Sequence, residues 1–85
     1  MPFLNFSHTV KAENGLHMRN SGSLAQLTQT HNARIIVVHG ETGKQASADN
    51  PLATMLLNIR KGDIVHFSIT AERQSGIREA IERLL

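Results

Sequence analysis

Two segments of this chain, Phe3 to Ala12 and Ile64 to Thr70, alternate apolar and polar residues, and no other feature restricts the fold as much. In the first, Leu4, Phe6, His8, Val10 and Ala12 share one side; in the second, Val65, Phe67 and Ile69 face one way and His66 and Ser68 the other. A period of two marks a half-buried strand, so the sheet these strands build has one covered face and one open face. Arg34 to His39, dense in β-branched residues, is a further strand. Its Ile36 and Val38 alternate out of phase with Ile35 and Val37 and so belong to the open face. Gly40-Glu41-Thr42-Gly43 closes that strand with a turn, and Lys44 to Ala48 is a weaker strand across the hairpin.

Helical spacing accounts for the remaining segments. Leu24 and Leu27, with Ala25 and Thr28 beside them, give a short apolar face from about Met18 to Gln29, and Asn32 suits a left-handed close. Asn50 followed by Pro51 is a helix start, with asparagine as N-cap and proline in the first helical position. That helix is expected to run from Pro51 to about Asn58 and to place at least one of Leu52, Met55 and Leu56 in the core. Lys61-Gly62-Asp63 is a turn, and Ile77, Ala80, Ile81, Leu84 and Leu85 define an amphipathic last helix. The order β-α-β-β-α-β-α predicts an α+β open-faced β-sandwich: a four-stranded antiparallel sheet with three helices on one face, as a single domain over residues 1–85.

A chain of 85 residues supports one modest core, which favours a small carrier or binding module over a self-sufficient enzyme. With no cysteine, disulfide and thiolate chemistry are excluded. No apolar run reaches the length of a membrane span, and the opening Met1-Pro2-Phe3-Leu4-Asn5 lacks the pattern of a secretory signal, so a soluble, cytoplasmic protein is expected. The net charge is only +2 with scattered basic residues, and three Phe without Tyr or Trp offer no stacking platform. A nucleic-acid partner therefore gains little support. His8, His31, His39 and His66 are not spaced as metal ligands, so neither metal nor cofactor is expected, and His8 is read as a hydrogen-bonded edge-strand residue. Gly40 to Gly43 lacks the length and lysine placement of a P-loop.

The residues with chemical promise are Asn14-Gly15-Leu16-His17-Met18-Arg19. A glycine turn feeding a helix start presents unpaired N–H groups and partial positive charge to an anion. In that setting His17 is a candidate nucleophile toward phosphorus, and Arg19 a counter-charge for phosphoryl oxygens.

These residues and the order of elements resemble the HPr family, the histidine-containing phosphocarriers of the bacterial phosphoenolpyruvate-dependent sugar phosphotransferase system. The resemblance runs through Asn14-Gly15-Leu16-His17-x-Arg19, Gly43-Lys44-x-Ala46-x-Ala48, and Lys61-Gly62 before the last strand. It implies that His17 accepts a phosphoryl group on Nδ1 from enzyme I and passes it to IIA domains of sugar permeases. It further implies that Arg19 supports the group, that the main-chain N–H groups of Met18 and Arg19 receive its oxygens, and that Leu52, Met55 and Leu56 dock partners. Such a protein is a monomeric carrier, not a catalyst, and needs no cofactor, nucleic acid or membrane insertion. The alternative is an HPr-like regulatory protein that binds partners through the same face without relaying phosphate.

Departures from the family pattern set further expectations. Asn20 stands where the family usually has proline, and Asn20 or Ser21 is a second candidate cap for a helix that starts later, away from His17. Restoring proline at that position is accordingly expected to help the helix or the transfer. Asn50 occupies the position of the regulatory serine found in many HPr proteins; it has no hydroxyl, and Ser47 lies too early to replace it. Between Ala71 and Gly76 the match loses register, which leaves the start of the last helix open.

Overall fold

The strand from Ile64 to Thr70 (β4) lies inside the sheet and joins the first strand of the chain to the second. The computed structural model describes residues 3–74 and 76–85. Met1 and Pro2 of the opening segment, and Ser75 within the stretch of lost register, lie outside the described residues. β1 (Phe3–Thr9) pairs with β4 in antiparallel register from Phe3 opposite Thr70 to Thr9 opposite Ile64. On the other side β2 (Arg34–His39) runs antiparallel to β4, and β3 (Gln45–Ser47) runs antiparallel to β2. The sheet order is thus β1-β4-β2-β3, wholly antiparallel.

The register gathers the expected apolar rows on one face. Val65, Phe67 and Ile69 of β4 are buried beside Ile35 and Val37 of β2 and Phe6 of β1. The helices cover this face: α1 (Met18–Thr30) contributes Leu24 and α3 (Ile77–Leu84) contributes Ile77 and Ile81 to the same cluster. Phe6 stacks on Phe67 with ring centroids 5.1 Å apart, and the Arg78 guanidinium lies 4.9 Å from the Phe6 ring centre. On the opposite face Ile36 and Val38 are half-buried and Phe3 and Ile64 exposed, as the alternation requires.

Two local expectations are shortened. β3 covers Gln45–Ser47 and not Lys44 to Ala48, although the Ala48 N–H still donates to the Ile35 carbonyl at 2.8 Å. α2 (Pro51–Met55) ends well before Asn58. The Leu57 and Asn58 N–H groups bond back only three residues, to Thr54 and Met55, and Asn58 turns left-handed at φ 56. Asn50 caps this helix as expected, its side chain accepting from the Ala53 N–H at 3.1 Å.

Two histidines outside the candidate site, His39 and His66, make local structural contacts. His39 is buried; its Nδ1 accepts from the Glu41 N–H at 3.2 Å, and its Nε2 lies 3.1 Å from Asp63 Oδ2. Because that carboxylate also accepts from the Arg60 N–H at 2.9 Å, one imidazole ties the β2–β3 hairpin to the loop before β4. His66 Nδ1 pairs with the Ser7 hydroxyl at 2.6 Å on the open face. The expected hydrogen bond of His8 is not found: its Nε2 is buried without a partner among the described residues. It shares the inward side of its segment with Phe6 and Val10, whose side chains offer no acceptor.

One position in α1 departs from what a helix prefers. Gly22 is exposed mid-helix, and a Cβ there would meet nothing within 4 Å. Gly22→Ala is therefore expected to stabilise the protein by about 0.5–1 kcal/mol, read as a melting-temperature rise of several degrees in a thermal scan.

Candidate functional site

The approach to His17 is held by contacts from distant parts of the chain. After β1, the Lys11 and Ala12 N–H groups donate to a main-chain oxygen of Leu85 at 2.6 and 2.8 Å. The chain then turns at Gly15, whose φ of 63 lies in the left-handed region and whose N–H donates to the Ala12 carbonyl at 3.0 Å. A Cβ at this glycine would collide with the carbonyl of Ile59. The same Ile59 oxygen accepts from the Leu16 N–H at 3.0 Å, and Leu16 itself is buried. Gly15 is thus required twice, by its backbone angle and by the approach of a second chain segment.

His17 is the N-cap of α1. Its backbone is extended (φ −99, ψ −176), its carbonyl accepts from the Ser21 N–H at 2.8 Å, and its ring Nδ1 accepts from the Arg19 N–H at 3.3 Å. The helix therefore begins at Met18, and the later start at Asn20 or Ser21 does not occur. Neither residue is free to cap it: Ser21 is fully buried, and the Asn20 side chain points back to donate to the Gly15 carbonyl at 2.8 Å.

The hydrogen bond at Nδ1 has a chemical consequence. An N–H aimed at Nδ1 requires an unprotonated nitrogen there, so the neutral ring carries its proton on Nε2. Nδ1 then holds the lone pair a nucleophile needs, next to first-turn N–H groups that have no partner within the helix. The Arg19 side chain is exposed, and among the described residues no carboxylate pairs with it. A half-buried imidazole, a main-chain donor at its reactive nitrogen and an uncommitted cation thus meet at one helix end.

The fold is that of a known family. The family model described as "PTS HPr component phosphorylation site" matches residues 4–85. The chain belongs to the HPr family. No curated protein matches it significantly. Among solved structures, the HPr-family chain is similar to the phosphocarrier protein HPr from Bacillus anthracis str. Ames, with TM-score 0.84 and 20% identity over 98% of this chain and 96% of that one. The histidine-containing phosphocarrier protein of Mycoplasma gives TM-score 0.69 at 23% identity, covering 95% and 90%. HPr-C-His from Thermoanaerobacter tengcongensis gives 0.72 at 22%, covering 95% and 89%. HPr proteins are phosphocarriers of the phosphotransferase system and not catalysts, and this chain has their fold.

Of the apolar residues expected to dock partners, Leu52 and Leu56 are 66% and 74% exposed and Met55 is half-buried. None of them is in the core, contrary to expectation: Thr54, fully buried, takes the inward position of the shortened helix, and Leu57 is buried just after its end. Thr54 enters the core because its hydroxyl is satisfied locally, donating to the Pro51 carbonyl at 2.9 Å. Met18, considered in the sequence only for its main chain, is 72% exposed, on a helix that packs directly against α2. The missed signal is that His17, as the N-cap, makes Met18 the first helical residue, on the exposed side of the first turn. Asn50 is exposed, and Ser47 is half-buried in β3. Among the described residues no helix is long and apolar enough to cross a membrane.

Proposed function

We propose that this HPr-family chain is a cytoplasmic phosphocarrier that accepts a phosphoryl group on His17 Nδ1 from enzyme I and delivers it to IIA domains of sugar permeases. The observation that carries this reading is the hydrogen bond from the Arg19 N–H to His17 Nδ1 at the start of α1, 3.3 Å long. A contact of that length is weak and easily exchanged. As the P–N bond to Nδ1 forms and the donor's bond to phosphorus breaks, the N–H is free to meet a phosphoryl oxygen. The helix start and the Arg19 guanidinium supply the remaining counter-charge. Phosphoryl transfer asks mainly for alignment and charge neutralisation, so one imidazole on a small domain suffices when the partner enzyme completes the site.

Met18, Leu52 and Leu56, with Met55 beside them, form the surface on which this reading places both donor and acceptor. Exposed methionine and leucine adapt to more than one partner at little cost. With Asn50 in place of a serine, control by phosphorylation there is not part of the proposed cycle.

The direct test is incubation with enzyme I, Mg²⁺ and phosphoenolpyruvate, followed by intact-mass measurement. An added phosphoryl group that is lost in acid, as a phosphoramidate is, supports the reading; an unmodified wild-type protein refutes it. Arg19→Ala should slow transfer about 10- to 100-fold while changing stability by no more than about 0.5 kcal/mol, since the side chain is exposed. Stopped reactions and a denaturation curve check the two halves of that expectation.

A further inference from the structure

Asn20 is nearly buried, at 6% exposure, and its Nδ2 donates to the Gly15 carbonyl at 2.8 Å. The opposite placement of the amide would set two acceptors against each other, so the donor assignment follows from the partner. That carbonyl belongs to the same peptide unit as the Leu16 N–H, which donates to the Ile59 carbonyl at 3.0 Å. The Gly15–Leu16 peptide plane, one residue before the reactive one, is therefore clamped at both ends, its oxygen by Asn20 and its nitrogen by Ile59. A peptide plane is rigid, and with the intervening Leu16 side chain held in the core, fixing this one restricts where His17 stands over the Arg19 N–H. Asn20 occupies the third helical position, where a capping-box side chain also reaches back; here it bonds a carbonyl two residues before the cap. Unlike proline, Asn20 also keeps its own main-chain N–H in the first turn.

From this clamp we infer that Asn20 is a positioning residue for phosphoryl acceptance at His17, replacing by a side-chain hydrogen bond the rigidity that proline lends the family. The inference rests on the phosphocarrier reading above. It also reverses the expectation from sequence: Asn20→Pro removes the clamp and one donor and should lower transfer.

The test compares wild type with Asn20→Leu, which preserves approximate volume without a donor. Transfer from enzyme I should fall about tenfold in kcat, with KM within about twofold because Met18, Leu52 and Leu56 are untouched. Long-range ¹H–¹⁵N spectra of the neutral His17 ring should change from the Nε2–H form toward a tautomer mixture. Wild-type kcat in Asn20→Leu, or an unchanged tautomer, overturns the proposal even if the melting temperature drops. Should Asn20→Leu fail to fold, Asn20→Ser, too short to reach Gly15, carries the same expectations. If wild type takes up no phosphoryl group, the carrier reading fails, and the tautomer measurement alone then decides whether Asn20 sets the His17 ring.

Discussion

His17→Ala is expected to abolish phosphoryl acceptance altogether while costing the fold only about 0.5–1 kcal/mol. The two effects differ so widely because the imidazole has two separable tasks. As an N-cap it receives one long hydrogen bond, 3.3 Å from the Arg19 N–H, on a half-exposed side chain. The cap can be replaced in part by water, and the first helical bond from the Ser21 N–H uses the His17 main chain, which alanine retains. As an acceptor of phosphorus it has no substitute within the motif, for a guanidinium offers phosphorus no lone pair and among the described residues no other histidine stands at a helix start. Intact-mass measurement after reaction with enzyme I reads the first effect and a denaturant midpoint the second. Persisting phosphorylation in His17→Ala would place the acceptor elsewhere in the chain.

Gly15→Ala should damage both stability and transfer. A left-handed φ costs an alanine about 1 kcal/mol, and at this position the added methyl also runs into the Ile59 carbonyl and the Arg60 Cα. Both obstacles are backbone, so relief requires separating the segments and losing the bond from the Leu16 N–H. The total is expected to reach about 2–4 kcal/mol, a large share of the roughly 5–15 kcal/mol that holds a domain together. Gly62→Ala is the internal control. Gly62 has a comparably positive φ of 91, yet its Cβ position is open, so only the conformational cost should appear in its unfolding curve. Equal losses in the two variants would show that the Ile59 contact contributes nothing. Because the displaced plane is separated from His17 only by Leu16, Gly15→Ala should also slow phosphoryl transfer in protein that remains folded.

Most of the fold is legible in the sequence because its signals are local. Alternation at Val65, Phe67 and Ile69 identifies both a strand and its inward face, and the Asn50-Pro51 pair announces a capped helix. Where the reading errs, the deciding partner lies beyond the segment. The length of α2 depends on Asn58 adopting a left-handed turn, and the choice of Thr54 over the neighbouring leucines depends on which side meets the core. Spacing puts His8 on the inward side but gives no warning that its Nε2 finds no partner there among the described residues.

The motif around His17 shows the same division. The sequence by itself determined a glycine turn, an imidazole and an arginine at a helix start, since turn propensity, capping and charge belong to residues close in the chain. Tertiary structure alone decided that Asn20 turns inward to hold the Gly15 carbonyl instead of capping a later start, and that Ile59 closes the other side of that peptide. The physical reason is that a buried amide takes the direction in which it finds a hydrogen-bond partner. That direction follows from how the loop before α1 packs against the Ile59 segment, which neighbouring residues do not encode.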